Sequence, residues 1–274
     1  MRRRSAPTDA RDVDRRWLEQ LYRRYHHRRF VPPDPLQFLY GYDDVRDREV
    51  VGLIASSLAY GNVKAMLPAI ERAIEPLGSS PARVLTQTAP RDLRRRYRGF
   101  RYRFTSDEQL SGLLLAVRVV IAQHGTLEAC AASRGAGETT VLSSISALVE
   151  TLAAAAPCSL IHLLPHPAAG SACKRLNLYF RWMVREDLVD PGGWRSFRPD
   201  QLVMPLDTHV FTTAHARGWT ARRSADLKTA LAVTSTLREI SPDDPLRYDF
   251  AITRPGIRGP ETPGPCHGAP MAGA

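Results

Sequence analysis

The sequence has little cysteine, and its four cysteines lie far apart along the chain. They are Cys130, Cys158, Cys173 and Cys266. They contain no close pair of the kind that marks a disulfide framework, and they do not supply the closely spaced C-terminal thiolates of an iron–sulfur cluster. Residues 1–16 also lack the apolar stretch of a signal peptide. These absences predict a reduced, cytoplasmic protein without an iron–sulfur cofactor.

Long apolar runs are also missing. No run approaches about eighteen apolar residues uninterrupted by charge, so no membrane span is predicted. The chain nevertheless has 274 residues, 43% of them hydrophobic, which suffices for one large domain or two small ones with a real core.

Strand signals are scarce, and helical periodicity covers most of the chain. Three N-caps are predicted, at Asp47, at Asn62 and at Ser106, which forms a capping box with Gln109. The predicted helices span about residues 9–29, 47–58, 62–74, 106–123, 138–156, 171–185, 207–218 and 224–240. The predicted fold class is all-α.

Acidic residues are outnumbered, since 38 lysines and arginines face 28 aspartates and glutamates, for a formal net charge of +10. Such a surface attracts polyanions, of which nucleic acid is the commonest. Residues 1–12 are interpreted as a basic arm, which raises the charge without creating a binding groove. Residues 13–258 are interpreted as the folded domain and the Gly- and Pro-rich residues 259–274 as a disordered tail.

Residues 164–175 form a turn with Pro and Gly that delivers Lys174 into the first turn of a helix. Free backbone N–H groups at such a helix start, here near Gly170, bind phosphate without reading a base sequence. At about 100° per residue, Lys174, Arg181 and Arg185 fall close to one line. The opposite side carries Ala172, Leu176, Tyr179 and Met183. The helix is predicted to pack on one face and to present a basic face to nucleic acid.

Downstream, Asp207 follows the apolar residues 202–204 and stands where a helix begins. Its plain interpretation is an N-cap, because helix starts select aspartate. Lys174 and Asp207 are 33 residues apart. Residues 187–199, which contain a Pro-Gly-Gly break, are expected to loop out between them with Trp194 resting against the surface.

These features resemble the helix-hairpin-helix DNA glycosylase superfamily. Many of its members carry a lysine early in the second helix of the hairpin, as Lys174 does after Gly170, and residues 206–209 (LDTH) resemble its Val-Asp-Thr-His motif. More closely, about residues 18–257 resemble a bacterial family of conserved hypothetical proteins associated with this superfamily. The shared phrases lie at residues 59–62, 102–104, 170–175, 181–185 and 205–209.

The resemblance implies two helical lobes, duplex DNA against the hairpin, and base-excision DNA repair in the cleft between the lobes. Asp207 would be ionised and would stabilise positive charge on the sugar as the base leaves. Lys174 would attack C1′ as a neutral amine, and the resulting Schiff base would permit strand cleavage, an AP-lyase activity. The target base would be flipped out of the duplex.

The resemblance also implies a set of DNA contacts, in a cytoplasmic, nucleoid-associated protein with no cofactor, no metal and no obligate protein partner. The residues expected to bind nucleic acid are Gly170, Ser171, Arg175, Arg181, Arg185, Tyr60, Asn62, Arg103 and His209. The side chains expected to fill the gap left by the flipped base, or to stack on it, are among Tyr60, Asn62, Tyr102 and Phe104.

Three other interpretations stay open. In the first, the chain is a binding module on DNA or structured RNA, and Lys174 is a phosphate contact without chemistry. In the second, it docks an acidic partner protein. In the third, Cys158, His162 and His166 hold zinc, although Pro165 would interrupt the helix that has to align them.

Overall fold

The computed structural model describes residues 10–135 and 137–258, and this part of the chain is mainly helical, as predicted. Its helices are α1 (Ala10–Tyr25), α2 (Val45–Ser57), α3 (Val63–Ile74), α4 (Pro81–Gln87), α5 (Pro90–Arg96), α6 (Asp107–His124), α7 (Leu127–Ala132), α8 (Leu142–Ala155), α9 (Lys174–Val184), α10 (Thr208–Ala216), α11 (Leu227–Ile240) and α12 (Asp249–Arg258). Short 3₁₀ turns lie at Arg28–Phe30, Pro35–Gly41, Glu75–Leu77, Pro167–Ala169 and Pro199–Gln201. One hairpin pairs β1 (Arg101–Tyr102) with β2 (Thr105–Ser106).

The predicted termini fall largely beyond what the structure covers. Residues 1–9 of the predicted basic arm and the predicted tail, residues 259–274, lie outside the described residues. Residues 10–12, also assigned to the arm, instead begin α1.

Two of the three predicted N-caps are confirmed. The Asn62 side chain accepts from the Lys64 N–H at 2.8 Å, and Ser106 and Gln109 form the capping box of α6. The third prediction was wrong, because Asp44 caps α2. Asp47 points away from the helix end and accepts from the Ala82 N–H at 2.8 Å, which joins α2 to α4.

Four short or interrupted helices were missed by the sequence patterns. Helices α4, α5 and α7 have six or seven residues, too few to display a clear apolar period. Helix α12 contains Pro255, a residue that normally signals a helix end. Helix α12 carries Asp249, which lines the cavity described below.

Helix α2 lies at the centre of the core and packs against α9. The two helices approach closely at Gly52, where a Cβ atom would lie 3.1 Å from the Tyr179 ring. Their packing brings the C-terminal end of α2, with Tyr60 and Gly61 just beyond it, next to Lys174 at the start of α9.

A buried carboxylate fixes the centre of the fold. Glu49 on α2 is 2% exposed and accepts from the Leu127 and Glu128 N–H groups at the start of α7 and from the Trp194 indole at 2.7 Å. Burial raises the pKa of Glu49 to about 7, although these donors oppose the shift. The expectation that Trp194 rests against the surface was wrong, because its ring fills the core and is 1% exposed.

No helix among residues 10–135 and 137–258 is both long and apolar enough to cross a membrane.

Candidate functional site

The turn before α9 is fixed at both ends. Gly170 has φ +74°, a left-handed conformation that suits glycine, and its carbonyl accepts from the Leu227 N–H at 3.0 Å. Ser171 pairs with Asp226, the N-cap of α11. Lys174 then opens α9, so its predicted place in the first turn is confirmed.

The chain that enters this turn differs from a helix-hairpin-helix. Helix α8 ends at Ala155, and the chain then runs through irregular turns to the 3₁₀ turn Pro167–Ala169. The turn is therefore not directly preceded by an α-helix. Gly170 and Ser171 nevertheless line an open groove of about 610 Å³ together with Tyr60, Gly61 and Lys174.

Asp207 is the N-cap of α10, as its plain interpretation predicted. Its Oδ1 accepts from the Val210 N–H at 2.8 Å, and its side chain is half-buried. The preceding residues 202–206 are buried and deliver Asp207 to the start of α10 from the core.

The structure brings Lys174 and Asp207 to one cavity of about 270 Å³. Besides these two, its charged and polar lining consists of Asp34, Tyr60, Arg181, Thr208, His209, Asp249, Thr253 and Arg254. Lys174 and Asp207 share the cavity although they are 33 residues apart in sequence. The segment between them packs Trp194 into the core, and the chain then comes back to the cavity at Asp207.

Lys174 differs from the other cations of this cavity. Arg181 is paired with Asp190 and Asp249, and Arg254 with Asp34 at 2.8 Å. Lys174 forms no ion pair and no side-chain hydrogen bond with any residue that the structure describes, and its side chain is only half-buried. Its amine is thus the cavity cation that is available to a bound molecule.

Asp249, the first residue of α12, is a cavity residue that the sequence analysis missed. It is 2% exposed, and burial raises the pKa of its carboxyl to about 6, with Arg181 opposing the shift and the charge of Asp207 adding to it. Asp207 and Asp249 both line the cavity. An aspartate at a helix start was the available signal, but Pro255 concealed the helix.

The prediction that α9 presents a basic face was wrong beyond the first turn of the helix. Arg181 and Arg185 are 3% and 4% exposed and form a buried network with aspartates. Its ion pairs join Arg181 to Asp190 and Asp249, and Arg185 to Asp187, Asp190 and Asp244. Both guanidinium groups are buried and already paired, so they do not form the exposed basic face that was predicted. The predicted apolar side of α9 is confirmed, because Ala172, Leu176, Tyr179 and Met183 are all buried.

The Arg175 side chain is held by hydrogen bonds to backbone carbonyls. Its guanidinium donates to the Ser57 carbonyl at 2.6 Å and to the His162 carbonyl, and it lies 5.3 Å from the centre of the Tyr60 ring. Arg175 therefore ties the end of α2 to the start of α9. Arg175 also lines the open groove, and its role as a DNA contact stays a prediction.

The four predicted gap-filling side chains divide in two. Tyr102 is 5% exposed and donates to the Tyr60 carbonyl, while the Tyr60 hydroxyl lies 2.8 Å from Thr105 Oγ1. These two rings are locked together, and buried Tyr102 is excluded from the role. Asn62 is exposed, and Phe104 is 68% exposed.

The remaining predicted residues lie around the cavity mouth. Exposed Arg103 packs beside Gly61, whose Cβ, if present, would lie 2.9 Å from it. His209 lines the cavity, with its ring directly against Gly256 of α12. The centre of the Phe104 ring lies 5.4 Å from that of the His162 ring. Ile161, which precedes His162 in sequence, is 79% exposed.

Neither the Cys173 thiol nor the predicted zinc ligands provide a reactive centre among the described residues. Burial raises the pKa of the Cys173 thiol to about 11, so this thiol is protonated at neutral pH and a poor nucleophile. Across the described residues, no three His, Cys, Asp or Glu side chains are arranged to hold a metal ion, and this includes the trio Cys158, His162 and His166.

A family model described as "Protein of unknown function (DUF2400)" matches residues 34–258, which include almost all of the cavity lining. No curated protein and no solved structure matches the chain.

Proposed function

This chain belongs to DUF2400, a protein family of unknown function, and we propose that it is a DNA-binding protein that excises bases from duplex DNA. One observation carries the proposal: the unpaired amine of Lys174 and the carboxylate of Asp207 line the same cavity. At about 270 Å³ this cavity is near the small end of ligand pockets, roughly 300–1,000 Å³, as suits one flipped base. The proposal includes the expected pair of helical lobes with DNA across the cleft.

In the proposed reaction, the neutral Lys174 amine attacks C1′ of the flipped nucleotide. The C1′–N bond breaks, and the base leaves with the electron pair and takes up the proton that the nitrogen of Lys174 loses on forming its bond to C1′. Asp207 stabilises the positive charge that develops on the sugar. Opening of the sugar ring then leaves a Schiff base between C1′ and the lysine nitrogen, and elimination of the 3′ phosphate from it gives the lyase activity.

The test uses borohydride, which reduces a Schiff base to a stable covalent adduct. The duplexes carry an abasic site, 8-oxoguanine, uracil or an alkylated base. The sequence favours a clean result because it has only three lysines, Lys64, Lys174 and Lys228. We expect Lys174→Gln to abolish trapping, whereas Lys64→Gln and Lys228→Gln, which remove exposed lysines, preserve it. An adduct that maps to another amine would contradict the assignment.

A second candidate function is a non-catalytic nucleic-acid binding module. The observation that favours it is the open groove lined by Gly170, Ser171 and Lys174, where a backbone phosphate could lie against the start of α9. In this case no adduct forms, and Lys174→Gln lowers the slope of log affinity against log salt by about one charge. Base release or trapping by the wild type would exclude it.

A further inference from the structure

We propose that an arginine surface on α5 and the β1–β2 hairpin binds the sugar–phosphate backbone of the DNA that flanks the cavity. The surface consists of Arg91, Arg94, Arg98, Arg101 and Arg103. This inference rests on the proposed function, because it takes duplex DNA as the partner. Beyond that function, it states which surface the DNA follows after it leaves the cavity.

The local fold points these arginines outward. Leu93 and Tyr97 are buried, and the Tyr97 hydroxyl donates to the Ala73 carbonyl at 3.0 Å, which fixes this segment on α3. Arg91 and Arg94 on α5, and Arg98 just beyond the end of this helix, are all exposed. In the hairpin, Arg101 and Arg103 flank the buried Tyr102 and are both exposed.

The five guanidinium groups are not held by carboxylates or carbonyls of the described residues, although Arg103 lies 5.6 Å from the centre of the Phe104 ring. All five side chains are exposed, and none forms an ion pair or a side-chain hydrogen bond with a residue that the structure describes. Many arginines elsewhere are held by carboxylates or carbonyls, as Arg118 is by the Leu85 carbonyl at 2.9 Å. A cluster of unpaired like charges repels itself, and a polyanion relieves that repulsion.

Two grooves give the surface a shape that a strand can follow. The first, about 640 Å³, lies between Arg91, Arg94 and Arg98 on one side and the start of α6 on the other. The second, about 370 Å³, begins at Arg98 and reaches Arg101. Asp107 and exposed Glu108 border the first groove. The Asp107 carboxylate accepts from the Gly99 N–H at 2.8 Å, which is the main cause of its lowered pKa.

The surface continues into the candidate site. Arg103 packs against Gly61, and Gly61 lines both the cavity of Lys174 and the groove beside it. A strand that leaves the cavity mouth therefore meets Arg103 first, then Arg101, then the groove at Arg98. This continuity favours the DNA bound at the cavity over an unrelated acidic protein.

The experiment measures salt-dependent binding to a duplex with an abasic site, in the Lys174→Gln protein so that no chemistry intervenes. The test variant is Arg94→Gln with Arg98→Gln. The matched control is Arg195→Gln with Arg198→Gln, which removes two exposed arginines that are paired elsewhere with Glu186 and Asp200. We expect the slope of log affinity against log salt to fall by about two in the test variant, at about 0.9 for each lost phosphate contact, and to stay unchanged in the control.

Duplexes with one long and one short arm add a directional readout, since only the arm that crosses the arginine surface should lose affinity in the test variant. Equal slopes in test and control variants would overturn the inference, and trapping by the wild type would show that the proposed function survives. Loss of slope without any trapping would support the surface and reject the chemistry. Competition by polyglutamate as strong as that by DNA would overturn the choice of partner.

Discussion

The buried carboxyl of Glu49 makes the stability of the protein depend on pH in a way that can be calculated. Its pKa rises from an ordinary 4.5 to about 7 on folding, chiefly because the side chain is buried. Between these values the folded protein binds more protons than the unfolded chain. This group's contribution to the free energy of unfolding is therefore largest at low pH and falls as pH rises through 7. At 1.36 kcal/mol per unit, the loss is about 3 kcal/mol.

The variant Glu49→Gln removes this titration. Glutamine keeps one acceptor oxygen but presents an amide N–H₂ to one of the three donors around Glu49, at a cost of about 1–3 kcal/mol. Only the wild type has the contribution of Glu49, which grows on acidification, so the difference between the two proteins should be about 2.5 kcal/mol larger at pH 5 than at pH 8. Other titrating groups are common to both proteins and cancel in this comparison.

Urea unfolding of both proteins at pH 5, 6, 7 and 8 measures the difference directly. Trp194, which donates to Glu49, gives a fluorescence signal at the right place. A difference that is constant with pH, or larger at pH 8, would refute the reasoning. It would show that the three donors hold Glu49 ionised against the effect of burial.

Three further predictions concern the site. Arg181→Met should cost about 3–5 kcal/mol of unfolding free energy, because it leaves buried aspartates without their cation, and thermal unfolding would reveal the loss. Gly256→Ala should displace the His209 ring, so this variant and His209→Ala should weaken binding to abasic DNA by similar factors. The double variant should then bind little worse than either single variant. Fully additive losses would argue against a shared cause. Asp207→Asn should preserve the cap of α10, since asparagine caps as well as aspartate, and should slow base release while unfolding stays within about 0.5 kcal/mol; normal release would remove Asp207 from the mechanism.

Much of the local structure could be predicted because it depends on neighbours in sequence. The caps at Asn62, Ser106 and Asp207 each need only a side chain that reaches an N–H two or three residues ahead. The choice between Asp44 and Asp47 could not be made in this way, because both precede suitable donors. Contact between α2 and α4 decided it, through the Ala82 N–H.

Among the cavity residues, the sequence analysis named Lys174 and Asp207 and also Tyr60, Arg181 and His209, but it missed Asp249. Lys174 and Asp207 stand out in sequence because each lies at a helix start in a recognisable motif, and the structure places both on one cavity. Asp249 has no motif, and it reaches the cavity only because α12 packs against α10.

What the sequence determined by itself is the helical class, the excess of positive charge and the residues that open α9 and α10. What the tertiary structure decided is which charges face solvent. Arg181 and Arg98 are the same residue type. Arg181 is buried and paired with Asp249, 68 residues away, whereas Arg98 is exposed and forms no ion pair with a described residue. The reason is physical: a buried charge requires a partner, and that partner comes from whichever distant segment the fold packs beside it.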